Sequence, residues 1–428
     1  LGLALAPQTA EAAEVTDVLD AFDHAFNNPY DLSLRLRFVK NTRSAAIARE
    51  VRCLKQDQIG AKHCADGSKT VFSRELAYER TRNVMNIDIR IGIHHDVELY
   101  TYLPIVMTDS WNHKFASGVT RQNSTIYPPS DLNALFAVPF QSQERAGFGD
   151  MSVGIKWAPF NYYRDRAHPT WVLGVEYMLP TGTPMQADNT DVGYGTHQLE
   201  LYSTISRRTL RVIEPFFTLH GVLRFGADKG LFVKTAQTQV RTAPGSSLGT
   251  SFGIDLIPWE DLEQDARVEI EMGFRMDYVF RGREYSEVWE ALASSDNPCS
   301  LKTGCTNTLH SKSKVDPKTG QHHQTNGVTD VEQYGQFNGW GSLHYQPMRN
   351  FQVSLSFGYT VESPHFITFG DYGKDRDGKA GVQEANTENP PQNEYSPTFL
   401  PTLDTPGNRL RVQDVSSWTV MFALSGKL

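Results

Sequence analysis

The sequence predicts an all-β protein, a transmembrane antiparallel up-and-down β-barrel of about 12 strands with long extracellular loops and short periplasmic turns. Three observations predict it: apolar and polar residues alternate with a period of two, the alternating segments are even in number, and the connections between them alternate long and short. The chain of 428 residues, 39% hydrophobic and 21% charged, is large enough to bury a core, which excludes disorder as its main state. Its apolar runs reach only about half a dozen residues, far below the ~20 of a membrane-spanning helix. A net charge of −8 gives no basic excess for nucleic acid.

Taken in order, the predicted strands are 31–39, 83–93, 97–107, 149–158, 170–179, 197–206, 212–225, 248–257, 266–281, 332–346, 350–361 and 409–428. Met85, Ile87, Ile89, Ile91 and Ile93 alternate with Asn86, Asp88, Arg90 and Gly92, and the pattern resumes at Val97 after His94-His95-Asp96, a hairpin with a tight turn. Residues 266–281 alternate for longer than most soluble strands, from Val268 and Ile270 through Phe280. The ~9–11 residues of a tilted membrane strand fit inside that run. Residues 350–361 and the final segment repeat the pattern. Long connections fall at 40–82, 108–148, 180–196, 226–247, 282–331 and 362–408, and short ones at 94–96, 159–169, 207–211, 258–265 and 347–349. A β-sandwich would alternate too, but its loops would not sort by length. The sorting places both termini in the periplasm of a Gram-negative bacterium, with the barrel in its outer membrane. Trp111, Trp157, Phe160, Tyr162, Tyr163, Trp259, Tyr345 and Phe351, near strand ends, are candidates for interfacial girdles.

The first residues read as the end of a secretory signal: Leu1 to Ala6 is apolar, and Pro7 and then Ala10-Glu11-Ala12 supply an A-x-A-like cleavage site. Residues 1–13 are thus a signal remnant, and 14–428 form a single barrel domain. Four cysteines form two local pairs, Cys53 with Cys64 and Cys299 with Cys305, a spacing that suits two loop disulfides in an oxidising compartment.

With the apolar face toward lipid, the opposite face lines the interior. It carries Arg35, Arg37, Asp88, Arg90, Glu98, Lys156, Glu176, Glu200, Glu214, Arg224, Asp255, Arg267, Glu269, Glu271, Arg275 and Asp277. Charges of both signs at this density allow a pore with a transverse field or a network of ion pairs that fills the barrel. Glu269 and Glu271 share a face with Arg267 and Arg275, so ion pairing or cation selection explains them better than acid-base catalysis. No G-x-S-x-G elbow is present, and no catalytic residue or obligatory cofactor is assigned. His322-His323 lie in a polar loop and read as solvated. Gly373 to Glu384 reads G-K-D-R-D-G-K-A-G-V-Q-E, which matches a calcium loop at Asp375, Asp377, Gly378 and Glu384 and lacks its first aspartate. Asp371 could supply that ligand, and residues 362–408 hold eight acidic against three basic residues. Weak binding of Ca2+ is the resulting expectation.

At Gly147 to Trp157, G-F-G-D-M-S-V-G-I-K-W, and Trp171 to Gly182, W-V-L-G-V-E-Y-M-L-P-T-G, the chain resembles outer-membrane barrels of the phenol-degradation meta-pathway or outer-membrane transporter type. The resemblance covers about a tenth of the chain and rests on G-x-G-D opening one strand and L-P-T-G closing the next. It implies passive uptake of small, often aromatic or apolar compounds and no catalytic residues. The expected function is a porin-like channel for small solutes, with membrane lipid as its surroundings. The second reading is a non-conducting barrel whose long loops bind a protein partner at the cell surface.

Overall fold

The computed structural model describes residues 16–19, 32–52, 70–129, 134–162, 164–187, 189–209, 212–226, 242–261, 266–295, 327–348, 350–370 and 400–427. Twelve long strands follow in chain order: β1 Leu32–Arg52, β2 Thr70–His94, β3 Val97–Phe115, β4 Met151–Phe160, β5 Thr170–Leu179, β6 His197–Ser206, β7 Ile213–Phe225, β8 Ser247–Asp261, β9 Ala266–Val279, β10 Tyr334–Met348, β11 Phe351–Glu362 and β12 Leu410–Lys427. Each pairs antiparallel with the next, and β12 returns to β1 from Ser33↔Lys427 to Arg49↔Leu410. Closure removes the unpaired edges that an open sheet would present. The sequence expectation of a twelve-stranded antiparallel barrel is met.

Connections at 95–96, 161–169, 207–212, 262–265 and 349–350 define a turn end; those at 53–69, 116–150, 180–196, 226–246, 280–333 and 363–409 define a loop end. The tightest, His95-Asp96, places Asp96 at φ 52°, a left-handed conformation that a short polar side chain tolerates. Alternation has the consequence that the fold needs: Leu99, Ile155, Val175, Leu201, Leu219 and Phe252 are exposed on the outer face, while their neighbours point inward. At the turn end Trp157, Phe160, Trp259, Tyr345 and Phe351 are exposed around the rim. Trp111 departs from the girdle expectation, since it is buried inside the barrel. Tyr163 lies outside the described residues, and Tyr162 is half-buried beside the 161–169 turn.

The first three strands run well past their expected ends, so residues 40–52, 70–82 and 108–115, assigned to loops by sequence, are strand. The cause is a change of surroundings. Beyond the apolar belt the outward positions meet no greasy phase, so they carry Ser44, Glu79, Lys114 and Asp414, with Lys114 and Glu79 3.8 Å apart. Inside, Ala45, Ile47, Leu76 and Tyr78 pack against the folded connections, and clean alternation disappears although pairing continues.

Those connections build a cap over the loop end. A short helix, α1 Trp289–Ala293, is buried along its whole length and is joined by Ile126, Leu135, Phe136, Met185, Ile367 and Leu403 in the largest apolar cluster among the described residues. A two-stranded pairing of Gly282–Glu284 with Thr329–Val331 lies beside it.

Candidate functional site: the charged lumen and its cap

All sixteen charged side chains expected on the inner face belong to described residues, and none is exposed. On β1–β4 they pair closely. Arg90 donates from Nε and Nη2 to the two oxygens of Glu98 at 2.8 and 2.7 Å, Lys156 Nζ lies 3.7 Å from the same carboxylate, and Arg37 Nη2 donates to Asp88 at 2.9 Å. Residues 16–19 reach this group at the turn end: Leu19 N–H donates to Glu98 Oε2 at 2.9 Å, and the Asp17 carbonyl accepts from Arg90 Nη2 at 2.8 Å.

The wall of β5–β9 carries the opposite excess. Glu176 and Glu200 are direct cross-strand partners, and Glu214, Asp255 and Glu271 stand in one register row across β7, β8 and β9. Like charges directly opposite destabilise a sheet, and each carboxylate therefore draws on a polar neighbour where one is in reach. Ser206 Oγ donates to Glu214 at 2.6 Å, and Trp340 Nε1 donates to Glu271. Asp277 holds Arg275 Nε at 2.7 Å and His220 Nε2 at 2.6 Å. Arg267 Nε lies 3.6 Å from Glu269, and Arg224 Nε donates to Gln198 Oε1 at 3.2 Å. On β1–β4 the four cations Arg35, Arg37, Arg90 and Lys156 outnumber Asp88 and Glu98, and they face a wall on which Glu176, Glu200, Glu214, Asp255, Glu269, Glu271 and Asp277 outnumber Arg224, Arg267 and Arg275.

At the loop end one buried group of ion pairs fastens the cap to the barrel, and a second ties two of its connections together. Arg43 of β1 donates from Nη1 to Glu362 Oε1 of β11 at 2.5 Å and from Nη2 to Glu287 of the cap at 2.7 Å. Burial pushes the Glu287 carboxyl up, but the attraction of the Arg43 guanidinium, foremost among the opposing causes, helps hold the group at about 2. Arg145, fully buried, donates to Glu290 of α1 at 2.8 Å and lies over the rings of Trp111 and Trp289, 5.5 and 5.0 Å from their centroids, while the two indoles are themselves in tilted contact at 5.8 Å. Contact with two indole faces suits the weakly hydrated plane of a guanidinium.

The G-x-G-D and L-P-T-G segments meet as one lock. Asp150 Oδ1 accepts Gly182 N–H at 2.9 Å and Oδ2 accepts Tyr194 N–H at 2.8 Å, while Thr181 Oγ1 accepts Met151 N–H at 2.9 Å and donates to the Gly149 carbonyl at 3.1 Å. Gly182 has no room for a side chain, because a Cβ there would stand 2.9 Å from Gly193 Cα and 3.0 Å from the Phe148 carbonyl. The motif thus ties the tops of β4 and β5 together.

Sequence reasoning did not single out Arg43, Arg145, Glu287, Glu290 or Glu362, and their partners are far apart in the chain. Nor did it mark Tyr100, Tyr202, Phe216 and Trp340, inward aromatics whose signal was their parity with the charged positions. The four cysteines, the calcium-loop residues Asp371, Asp375, Asp377 and Glu384, residues 1–13 and His322-His323 lie outside the described residues.

No family model matches the chain, and no curated protein does. Among solved structures it is similar to the COG4313 outer membrane channel from Pseudomonas putida F1, at 9% identity and a TM-score of 0.41, covering 93% of this chain and 98% of that one. It is also similar to the TodX monoaromatic hydrocarbon channel deltaS2 mutant, at 7% identity and a TM-score of 0.34, covering 94% and 91%. A Pseudomonas aeruginosa FadL homologue matches at 8% identity and a TM-score of 0.31, covering 94% and 92%. At these values the likenesses assign no activity to this chain.

Proposed function

We propose that the protein is an outer-membrane channel for the passive diffusion of small solutes. The observation that carries the reading is the sorting of the barrel's two faces: an apolar belt with an aromatic rim outside, and opposed walls of unlike charge inside. The outer face fits lipid as its solvent, because a closed barrel satisfies every ladder hydrogen bond internally. A lumen with a transverse field orients polar solutes and admits ions. The resemblance carried by Gly147–Trp157 and Trp171–Gly182 supports small aromatic or apolar compounds as cargo, the finer part of the proposal.

A second reading has its own observation. The cap core at one end and residues 16–19 on the Arg90–Glu98 pair at the other favour a barrel closed by its own chain, whose outer loops would serve a protein partner. Purified protein in planar bilayers separates the two: stable unit steps are expected of the channel, and an electrically silent, correctly folded barrel overturns it in favour of the scaffold.

A further inference from the structure

We propose that Gly154, Gly174, Gly253 and Gly273 set the bore of the lumen by letting four aromatic rings lie flat against its wall; the inference rests on the channel reading. Tyr100 of β3 is the direct cross-strand partner of Gly154 on β4, and Tyr202 of β6 is that of Gly174 on β5. The same relation joins Phe216 of β7 to Gly253 on β8, and Trp340 of β10 to Gly273 on β9. Paired residues share a face, and all eight have the parity of the inward charges. In each pair the ring carbons occupy the space that the glycine's Cβ would take.

The arrangement occurs twice across eight consecutive strands. Tyr100 and Tyr202 lean toward each other over β4 and β5 until their hydroxyl oxygens are 3.4 Å apart. Phe216 and Trp340 lean toward each other over β8 and β9, with ring centroids 6.3 Å apart, and Trp340 is tethered by its bond to Glu271. In strand order each set reads aromatic, glycine, glycine, aromatic: Gly253 and Gly273 are direct partners, whereas Gly154 and Gly174 are offset by two residues, opposite Glu176 and Lys156. None of the four glycines has a positive φ, so the missing side chain, and not backbone freedom, is what these positions use. Glycine in a strand interior weakens it, and a ring laid over it restores the lost contact. A large inward side chain normally projects toward the barrel axis. Here the rings run tangentially, and the lumen keeps the width they would otherwise fill.

A methyl group at Gly174 would lift Tyr202 off the wall. The test compares unit conductance in planar bilayers for Gly174→Ala, Tyr202→Ala and the double variant, with assembly checked by heat-modifiable gel migration. Gly174→Ala should lower conductance by about two-fold, as expected where pore diameter limits flux, and Tyr202→Ala should raise it. In the Tyr202→Ala background the added methyl should have no effect. A fall of equal size with and without Tyr202, or unchanged conductance in an assembled Gly174→Ala, overturns the inference. Should Gly174→Ala fail to assemble, Tyr202→Ala and Phe216→Ala decide, and unchanged conductance in both overturns it. A conducting wild type with indifferent variants defeats this inference alone, whereas a silent wild type defeats the channel reading on which it depends.

Discussion

Arg43 binds the cap to the barrel wall, because it neutralises the carboxylates of Glu287 in the 280–333 connection and of Glu362 at the end of β11 within one buried space. Breaking such a pair by removing one partner leaves uncompensated charge, at a cost of about 3–5 kcal/mol. Arg43→Leu should therefore open the cap, seen as faster limited proteolysis between residues 282 and 295 with barrel migration on gels unchanged. The cap also contains a group of opposite pH behaviour. Asp404 accepts Gly370 N–H at 2.9 Å and Leu400 N–H at 2.8 Å, yet burial outweighs both bonds and pushes its carboxyl up to about 6 from 3.8. A raised carboxyl favours the folded state while protonated, so its contribution is complete below about pH 4 and is lost as pH rises through about 6, at most about 3 kcal/mol. Glu287, held at about 2, contributes above its ordinary value of 4.5 and is lost only as pH falls toward 2. Between pH 4 and 6 Asp404 alone of these two should titrate toward instability. Proteolysis of the 400–410 segment should accelerate over that range, and Asp404→Asn should remove the dependence; an identical profile in both proteins would refute the assignment.

Strand β9 shows at element scale how alternation becomes two surfaces. Phe274 faces outward between Phe252 and Phe337, with ring centroids 5.8 and 6.5 Å away, while Glu271 faces inward beneath the Trp340 indole. An arginine at a mid-bilayer outward site costs about 2–4 kcal/mol. Phe274→Arg should thus impair assembly into bilayers, and Glu271→Gln, whose amide oxygen can still accept from the indole, should assemble normally and change conductance or ion selectivity. Equal folding damage from both would contradict the assignment of faces. This strand was legible in the sequence because both of its faces meet a single phase along their whole length. The upper halves of β1 and β2 were not, since Ala45 to Ala48 are buried on both faces and the outward residues there meet no apolar belt. Periodicity reports the contrast between two environments, and strand pairing continues where that contrast ends.

At the scale of the whole molecule, parity along each strand was enough to list the lumen charges, but closing the barrel decided which of them meet. Arg43 and Glu362 lie 319 residues apart in sequence, and Arg145 and Glu290 lie 145 apart; neither pairing has a local signal, because the first joins β1 to β11 across β12 in the closed barrel and the second joins two connections folded over the loop end. The same end decides orientation. β1 runs from the turn end to Arg52 and β2 leaves from Thr70, so residues 53–69, with Cys53 and Cys64, join them at the loop end. Cys299 and Cys305 fall between Val279 of β9 and Tyr334 of β10, the connection that also supplies α1. If the loop end is the cell surface, as the length of its connections predicts, both cysteine pairs are reachable from outside without crossing the membrane. Intact cells treated with reductant and then with an impermeant thiol label should be labelled at Cys53 and Cys64, and at Cys299 and Cys305. Omitting the reductant should abolish the signal if each pair is a disulfide. Labelling without reductant would refute the disulfides and leave the orientation standing, whereas labelling only after the outer membrane is permeabilised would invert the barrel, placing the cap on the periplasmic side and residues 16–19 at the surface.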